Sequence, residues 1–470
     1  MSRDRFFRAV VGSLFAVLGT GCFAFVDYHA IYEEGKREMR IQRWPQADEL
    51  FASIPDSVDI YDNALARRAE VASAQGKHEL ALQFWRQAAQ ISPDRYGKET
   101  NRGYHRDYAK MIEVSTFEQP GDVRALFVTD DLLISHTKPS TLTAYDRKTK
   151  RPAWSYQFEK ATEADWSRRV FGGGALVGMH EVGTGKPVVL LAIEAQTGQE
   201  RWKQSLKVLA HETEIGADDK HAFVASRAMG TSKGEISAYN MKTGKQQWTK
   251  PLDGRPGPIT VAEGRVFVWT SGKSIMGFKA DTGEPIFSLN LPVAFYHDRL
   301  VATSTHVFLV AQDGQVYALD ATDKKYEPPM KRVLWKAPVE NNCTGKEPAS
   351  AVVDGKLVVP CWEAIHAFDP ETGKAVWTTK IKYKLGGAGQ VTPTMLGELI
   401  TARYKSLLVA IDPSKGELRW IYDSKGDYNV SHANPVEVDG KILVGARQGS
   451  QSSKEASVVL TLTPTPSVPY

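Results

Sequence analysis

Four aspartates recur in one context along this sequence: Asp146, Asp320, Asp369 and Asp412 each end a short apolar run and open a polar stretch. A carboxylate that returns at a fixed place has the chemistry of a general base or a cation ligand. It has equally the chemistry of a turn, where its oxygens accept neighbouring backbone N–H groups. We read the four as turn residues and assign no catalytic residue. Eleven histidines are scattered without a His-Glu-x-x-His pattern, and His78-Glu79 and His211-Glu212 read as solvated surface pairs. Phe171-Gly-Gly-Gly174 and Leu385-Gly-Gly-Ala-Gly389 are glycine-rich. A phosphate loop needs Gly-Lys-Ser/Thr and a helix after it, so both read as turns between strands. Lys380, Lys382 and Lys384 alternate on one strand and read as a solvated face; an acidic partner is the alternative.

The chain has three cysteines. Neither Cys343 nor Cys361 has a second Cys or His at ligand spacing, so metal binding is not indicated. Cys22 ends an apolar run that follows a basic start, MSRDRFFRAVVGSLFAVLGTGC, which is the pattern of an export signal. Leu-Gly-Thr-Gly-Cys22 resembles a bacterial lipobox and makes Cys22 a candidate for lipidation, although Gly19 stands where Leu is usual. An uncleaved anchor running on to Val26 is the alternative; it would be just long enough to span a bilayer. Export permits a disulfide between Cys343 and Cys361, worth about 3 kcal/mol in the loop-entropy account. Two unpaired thiols is the other reading.

The elements that carry these residues repeat. IHAFDPETGKAVWT (365–378) returns as LTAYDRKTKRPAW (142–154), LLAIEAQTGQERW (190–202), ISAYNMKTGKQQW (236–248), IMGFKADTGEPIF (275–287) and LLVAIDPSKGELRW (407–420), with a stretched copy at 316–335. Successive copies are 39 to 49 residues apart. A period in the forties built from strands predicts a β-propeller. The apolar run is a strand, Asp-x-x-Thr-Gly the turn, and the large ring after it lies on the returning strand. Trp154, Trp202, Trp248, Phe287, Trp335, Trp377 and Trp420 hold this last position and are assigned to filling the wedge between blades.

The motif Ala-x-Asp-x-x-Thr-Gly-x-x-x-Trp, in seven copies over about 123–463, resembles the quinoprotein-type propeller family. That family contains alcohol and glucose dehydrogenases that use pyrroloquinoline quinone with Ca²⁺, and also non-catalytic members of outer-membrane assembly. The resemblance implies the fold. For an enzyme it would imply a Ca²⁺ site of carboxylate and amide oxygens, and in many members a vicinal Cys–Cys disulfide. No adjacent Cys pair exists here, no such acidic set aligns, and no cofactor or metal is expected.

Residues 27–110 differ in character, with helix formers dominant. Ala69, Gly76, Ala81, Trp85, Ala88 and Pro93 have the spacing of a tetratricopeptide repeat, with a weaker echo at Gly35, Ala47 and Phe51. A plain helical hairpin is the alternative. The propeller takes 111–470. An eighth copy at 457–464 has no Trp after it, so the ring is expected to close with a strand from the other end, near 111–117. Eight blades follow, with seven as the alternative. Net charge is +4, and Arg3, Arg5 and Arg8 against Asp4 supply half of it. The remainder is nearly neutral, so a nucleic-acid footprint is not indicated. The whole reads as an exported, membrane-anchored scaffold on the periplasmic side of an outer membrane, with an inner-membrane anchor as alternative. Its partners would be envelope proteins, the barrel-assembly machinery among them. A quinone-dependent enzyme and a small-ligand sensor are the competing readings.

Overall fold

A computed structural model describes residues 26–96, 107, 112–137, 141–158, 169–181, 188–228, 233–271, 274–293, 300–324, 329–339, 350–361, 364–380, 393–396, 399–404, 407–423, 428–430, 435–448 and 457–463. The chain divides into two compact units, Met1–Met111 with Val468–Tyr470, and Ile112–Ser467.

The first unit contains four described helices of two turns or more: α1 (Tyr28–Arg40), α2 (Trp44–Ala52), α3 (Tyr61–Ala74) and α4 (His78–Ile91). Asp27 starts α1 by accepting the Ala30 N–H at 3.0 Å, the role of an N-cap carboxylate. Small residues let the helices approach. A Cβ on Gly35 of α1 would come within 2.6 Å of the Phe51 ring on α2. Ala69 of α3 and Ala88 of α4 are fully buried beside Trp85. Gly76 turns the chain between α3 and α4 at φ +76°.

The second unit is an eight-bladed propeller. Blades one to seven are four-stranded meanders over 123–157, 169–206, 208–252, 256–290, 301–338, 351–380 and 394–423. First strands of neighbouring blades approach one another, so they surround the axis. Fourth strands are outermost. The alternation of direction puts every first-to-second and third-to-fourth turn on one face of the ring, and the remaining connections on the other.

Blade eight is assembled from both ends of the unit. Ser457–Thr463 is its third strand, and Glu113–Gln119 pairs beside it as the outermost. The core lies between blades: Phe267, Leu309 and Tyr317 join blades four and five, and Val358, Ile365 and Val409 join six and seven.

Candidate functional site

The repeat is where the sequence concentrates its chemistry. Asp369 Oδ1 accepts from the backbone N–H of Glu371 at 3.1 Å, that of Thr372 at 2.8 Å and the Thr372 hydroxyl at 2.8 Å. Asp146 does the same with Lys148 and Thr149, and Asp412 with Ser414 and Lys415. Asp320 accepts from the backbone and hydroxyl of Thr322. In blade three Asn240 takes the place, accepting from Lys242 and Thr243 at 3.0 Å. An amide takes the acid's place here and Lys279 does so in blade four, so the position does not depend on a carboxylate charge.

The hydrogen bonds leave a mark on titration. The Thr372 hydroxyl and N–H hold the Asp369 carboxyl below its usual value of 3.8. The Thr149 N–H and hydroxyl do so for Asp146. Burial pushes the Asp412 carboxyl up, but hydrogen bonds from Ser414 and Arg419 outweigh it and hold it well below the usual range. Lowered folded-state values mean that the turns stabilise the fold fully above the ordinary Asp value and lose this as pH falls through the folded one. The expected result is a thermal midpoint that drops as pH falls below about 4. Asp369→Asn should fold at neutral pH and show a smaller acid-induced drop than the parent, measured by melting at stepped pH.

The ring residues serve the next blade. Directly across the ladder from each stands the small residue of its own repeat: Ala144 faces Trp154, Ala192 Trp202, Ala238 Trp248, Gly277 Phe287, Ala318 Trp335, Ala367 Trp377 and Ala410 Trp420. Five of the rings, those of Trp154, Trp202, Trp248, Trp335 and Trp377, then reach over the turn of the following blade. Trp202 Nε1 donates to the Met241 carbonyl at 2.7 Å, and Trp377 Nε1 to that of Pro413 at 2.8 Å. Trp154, Trp248 and Trp335 make equivalent bonds to Ala195, Ala280 and Pro370. Under each of these five tryptophans lies the Gly of the next Thr-Gly or Lys-Gly turn. A Cβ on Gly373 would meet the Trp335 ring at 2.5 Å, and one on Gly244 the Trp202 ring at 2.7 Å. Trp420 stands in the strand Leu418–Asp423.

Ring and glycine vary together at two junctions. Blade five has no Gly in its turn, and blade four offers Phe287 instead of Trp. Arg332 fills the gap, its guanidinium 4.5 Å from the Phe287 ring centre and bonded to the Asp320 and Thr322 carbonyls at 2.7 and 3.0 Å. At the other junction the outer strand of blade eight has no Trp, and blade one places Lys150 where Gly is usual, at φ +60°.

A buried polar cluster between blades one and two was not legible in the sequence. His136, on the second strand of blade one, meets the Arg169 guanidinium through Nδ1. Arg169 also donates to the Arg124 carbonyl at 3.0 Å, and Arg124 pairs with Asp122 at 2.9 Å. The Phe158 ring lies 6.5 Å from His136 and 5.8 Å from His180. Burial, with Arg169 and Arg124 adding to it, pushes the His136 imidazole down to about 2. Burial beside Arg124 likewise takes Arg169 down to about 9. A histidine held neutral so far below neutral pH is a hydrogen-bond acceptor here and a poor general acid–base.

Two expectations change. His78 and Glu212 are engaged side chains: half-buried His78 has Nδ1 2.8 Å from the buried Asp107, which also accepts from Ser73, and Glu212 is buried in a two-point pair with Arg227. In both cases the partner is distant in sequence or one hairpin away. Gly173 and Gly174 form the turn between the first two strands of blade two. Cys361 is buried and disulfide-bonded. Cys22, Cys343, Lys382, Lys384 and 385–389 lie outside the described residues.

The family model described as "Outer membrane protein assembly factor BamB" matches residues 185–323, 232–359 and 324–453, from the third strand of blade two to blade eight. The chain belongs to this family. Among BamB relatives, the outer membrane protein assembly factor BamB of Burkholderia pseudomallei (strain K96243) is 23% identical over 261 residues, 55% of this chain and 57% of that protein. The chain thus spans a little over half of the length of the curated relative it matches. The crystal structure of BamB from Moraxella catarrhalis superposes with a TM-score of 0.51 at 15% identity, covering 75% of this chain and 97% of that one. A quinohemoprotein alcohol dehydrogenase from Pseudomonas putida HK5 gives 0.53 at 14% identity, over 76% and 77%. The computationally designed Ika8 protein gives 0.54 at 16%, over 73% and 98%. A designed protein and an enzyme superposing equally well means that the fold carries no activity by itself.

The repeat carboxylates are engaged in turns, and no two cysteines are adjacent. Among the described residues no three His, Cys, Asp or Glu side chains are arranged to hold a metal ion.

Proposed function

We propose that this chain is a non-catalytic scaffold of the cell envelope, tethered to a membrane and working with the machinery that assembles outer-membrane proteins. The observation that carries the reading is the BamB family match across blades two to eight. The spending of the repeat carboxylates on turns supports it. The tether is the lipid on Cys22, with the uncleaved 1–26 anchor as the alternative, and the location is the periplasmic face of the outer membrane. Exposed turns on a rigid ring suit protein contacts. The helical unit adds a second surface of the tetratricopeptide kind for a peptide or partner.

The test is affinity purification of the full-length protein, tagged at its C-terminus, from gently solubilised membranes, with mass spectrometry of what is retained. Enrichment of a barrel-assembly protein is expected. A clean monomer with no reproducible companion would overturn the scaffold reading. The enzyme reading is favoured by the fold likeness to quinohemoprotein alcohol dehydrogenases. It predicts that added pyrroloquinoline quinone and Ca²⁺ bind and that absorbance changes on adding an alcohol or sugar; neither is expected here.

A further inference from the structure

The outermost strand of a blade has one backbone edge unpaired, and such edges recruit other chains unless blocked. Seven of the eight here are blocked in two ways. Pro152 and Pro285 open two of these strands, Lys203, Lys250, Lys336 and Lys380 stand in four, and Arg419 in the seventh. Each also shifts register against its neighbour just past the small residue opposite the ring. A shift of this kind bends the strand and spoils its edge as a template.

The outermost strand of blade eight has neither device. Glu113–Gln119 reads EVSTFEQ, without Pro, Lys or Arg. It pairs with Ser457–Thr463 through seven consecutive positions without a shift. The cause is its origin: no tight turn joins it to the third strand, so nothing introduces the extra residue. Its inner side is occupied, with Phe117 edge-on to Tyr145 at 4.7 Å and Gln119 accepting from the Ser135 hydroxyl at 2.6 Å. Glu113, Val114, Ser115 and Thr116 are exposed, and among the described residues no strand pairs with the far edge.

We propose that Glu113–Gln119 is a docking edge for an extended segment of another polypeptide, added as a further strand of blade eight. Backbone bonding supplies the attraction, and alternate side chains the selectivity. The strand carries Glu113 and Glu118 around an uncharged centre, so the fitting segment has Lys or Arg at its ends and Thr or Val between, because opposite charges across a ladder stabilise it. A second copy of this chain fits less well: it would bring four carboxylates and no cation into one ladder. This deepens the scaffold reading by naming one contact edge.

The test uses the full chain and the probe peptide Lys-Thr-Val-Thr-Val-Lys, whose lysines have the five-residue spacing of Glu113 and Glu118, at millimolar concentration, read by hydrogen exchange. Exchange over 113–119 is expected to slow by about tenfold, and a peptide with Glu at both ends should give no slowing. Thr116→Lys should abolish the effect. Should that variant fail to fold, Glu113→Lys with Glu118→Lys is expected to transfer the preference to the Glu-ended peptide. Unchanged exchange over 113–119 with either peptide, or a preference that ignores the charge reversal, overturns the proposal. A membrane partner that stays bound to the charge-reversed chain removes this edge from its contact and leaves the scaffold reading standing. A parent chain that retains no partner removes the scaffold reading, whatever the peptide does.

Discussion

Trp202→Ala is expected to lower the thermal midpoint by several degrees and to speed hydrogen exchange in blades two and three before the rest of the ring. Trp202 is 7% exposed, packs with Ala192 and Met241, covers Gly244 and donates to the Met241 carbonyl. Removing a buried indole costs about 3–5 kcal/mol through lost burial and the cavity left behind. The Met241 carbonyl then loses a partner, which adds to the cost. Trp202→Phe keeps most of the ring and loses only the N–H, so its cost should be nearer 1 kcal/mol. Blade four shows that Phe is tolerated where another group, Arg332, fills the space. An Ala variant that melts with the parent would refute the docking account.

Gly373→Ala should be costly where Lys150→Gly, at the same turn position in another blade, is nearly neutral. Gly373 has φ +71°, and a Cβ there would stand 2.5 Å from the Trp335 ring. The left-handed backbone costs an ordinary residue about 1–2 kcal/mol, and crowding a packed ring adds about 1–3 kcal/mol. Lys150 is already left-handed at φ +60°, and the outermost strand of blade eight brings no Trp over it. Glycine there relieves strain but gains freedom in the unfolded chain, so the net change should stay within about 1 kcal/mol. Denaturant melts of the two variants side by side measure the contrast. Equal losses would mean that the turn, and not the ring above it, sets the demand for glycine.

The repeat was readable because its information is local. Asp, Thr and Gly satisfy one another within five residues, and the Ala and Trp of one copy meet across a single hairpin. Counting those copies gives the blades without knowing a long-range contact. What the sequence hid depends on distance. Arg332 replaces a glycine from a different point in a stretched turn. His136 and Arg169 come from different blades and carry no motif. Glu212 looked solvated because its cation, Arg227, sits across a strand pair. The difference between Lys150 and the glycines was visible as letters, but its meaning required knowing that blade eight presents no indole to blade one.

The shared blade also sets the order of events in biosynthesis. Glu113–Gln119 cannot pair until Ser457–Thr463 has been made, 338 residues after Gln119. At about 5–20 residues per second that is a wait of roughly 17–70 s. Seven blades are complete in sequence before the first strand of the unit finds its neighbour. Ring closure is therefore the last step, long after local hairpins have formed, and a chain truncated before residue 457 would leave both ends of an open arc exposed to proteases and to other strands.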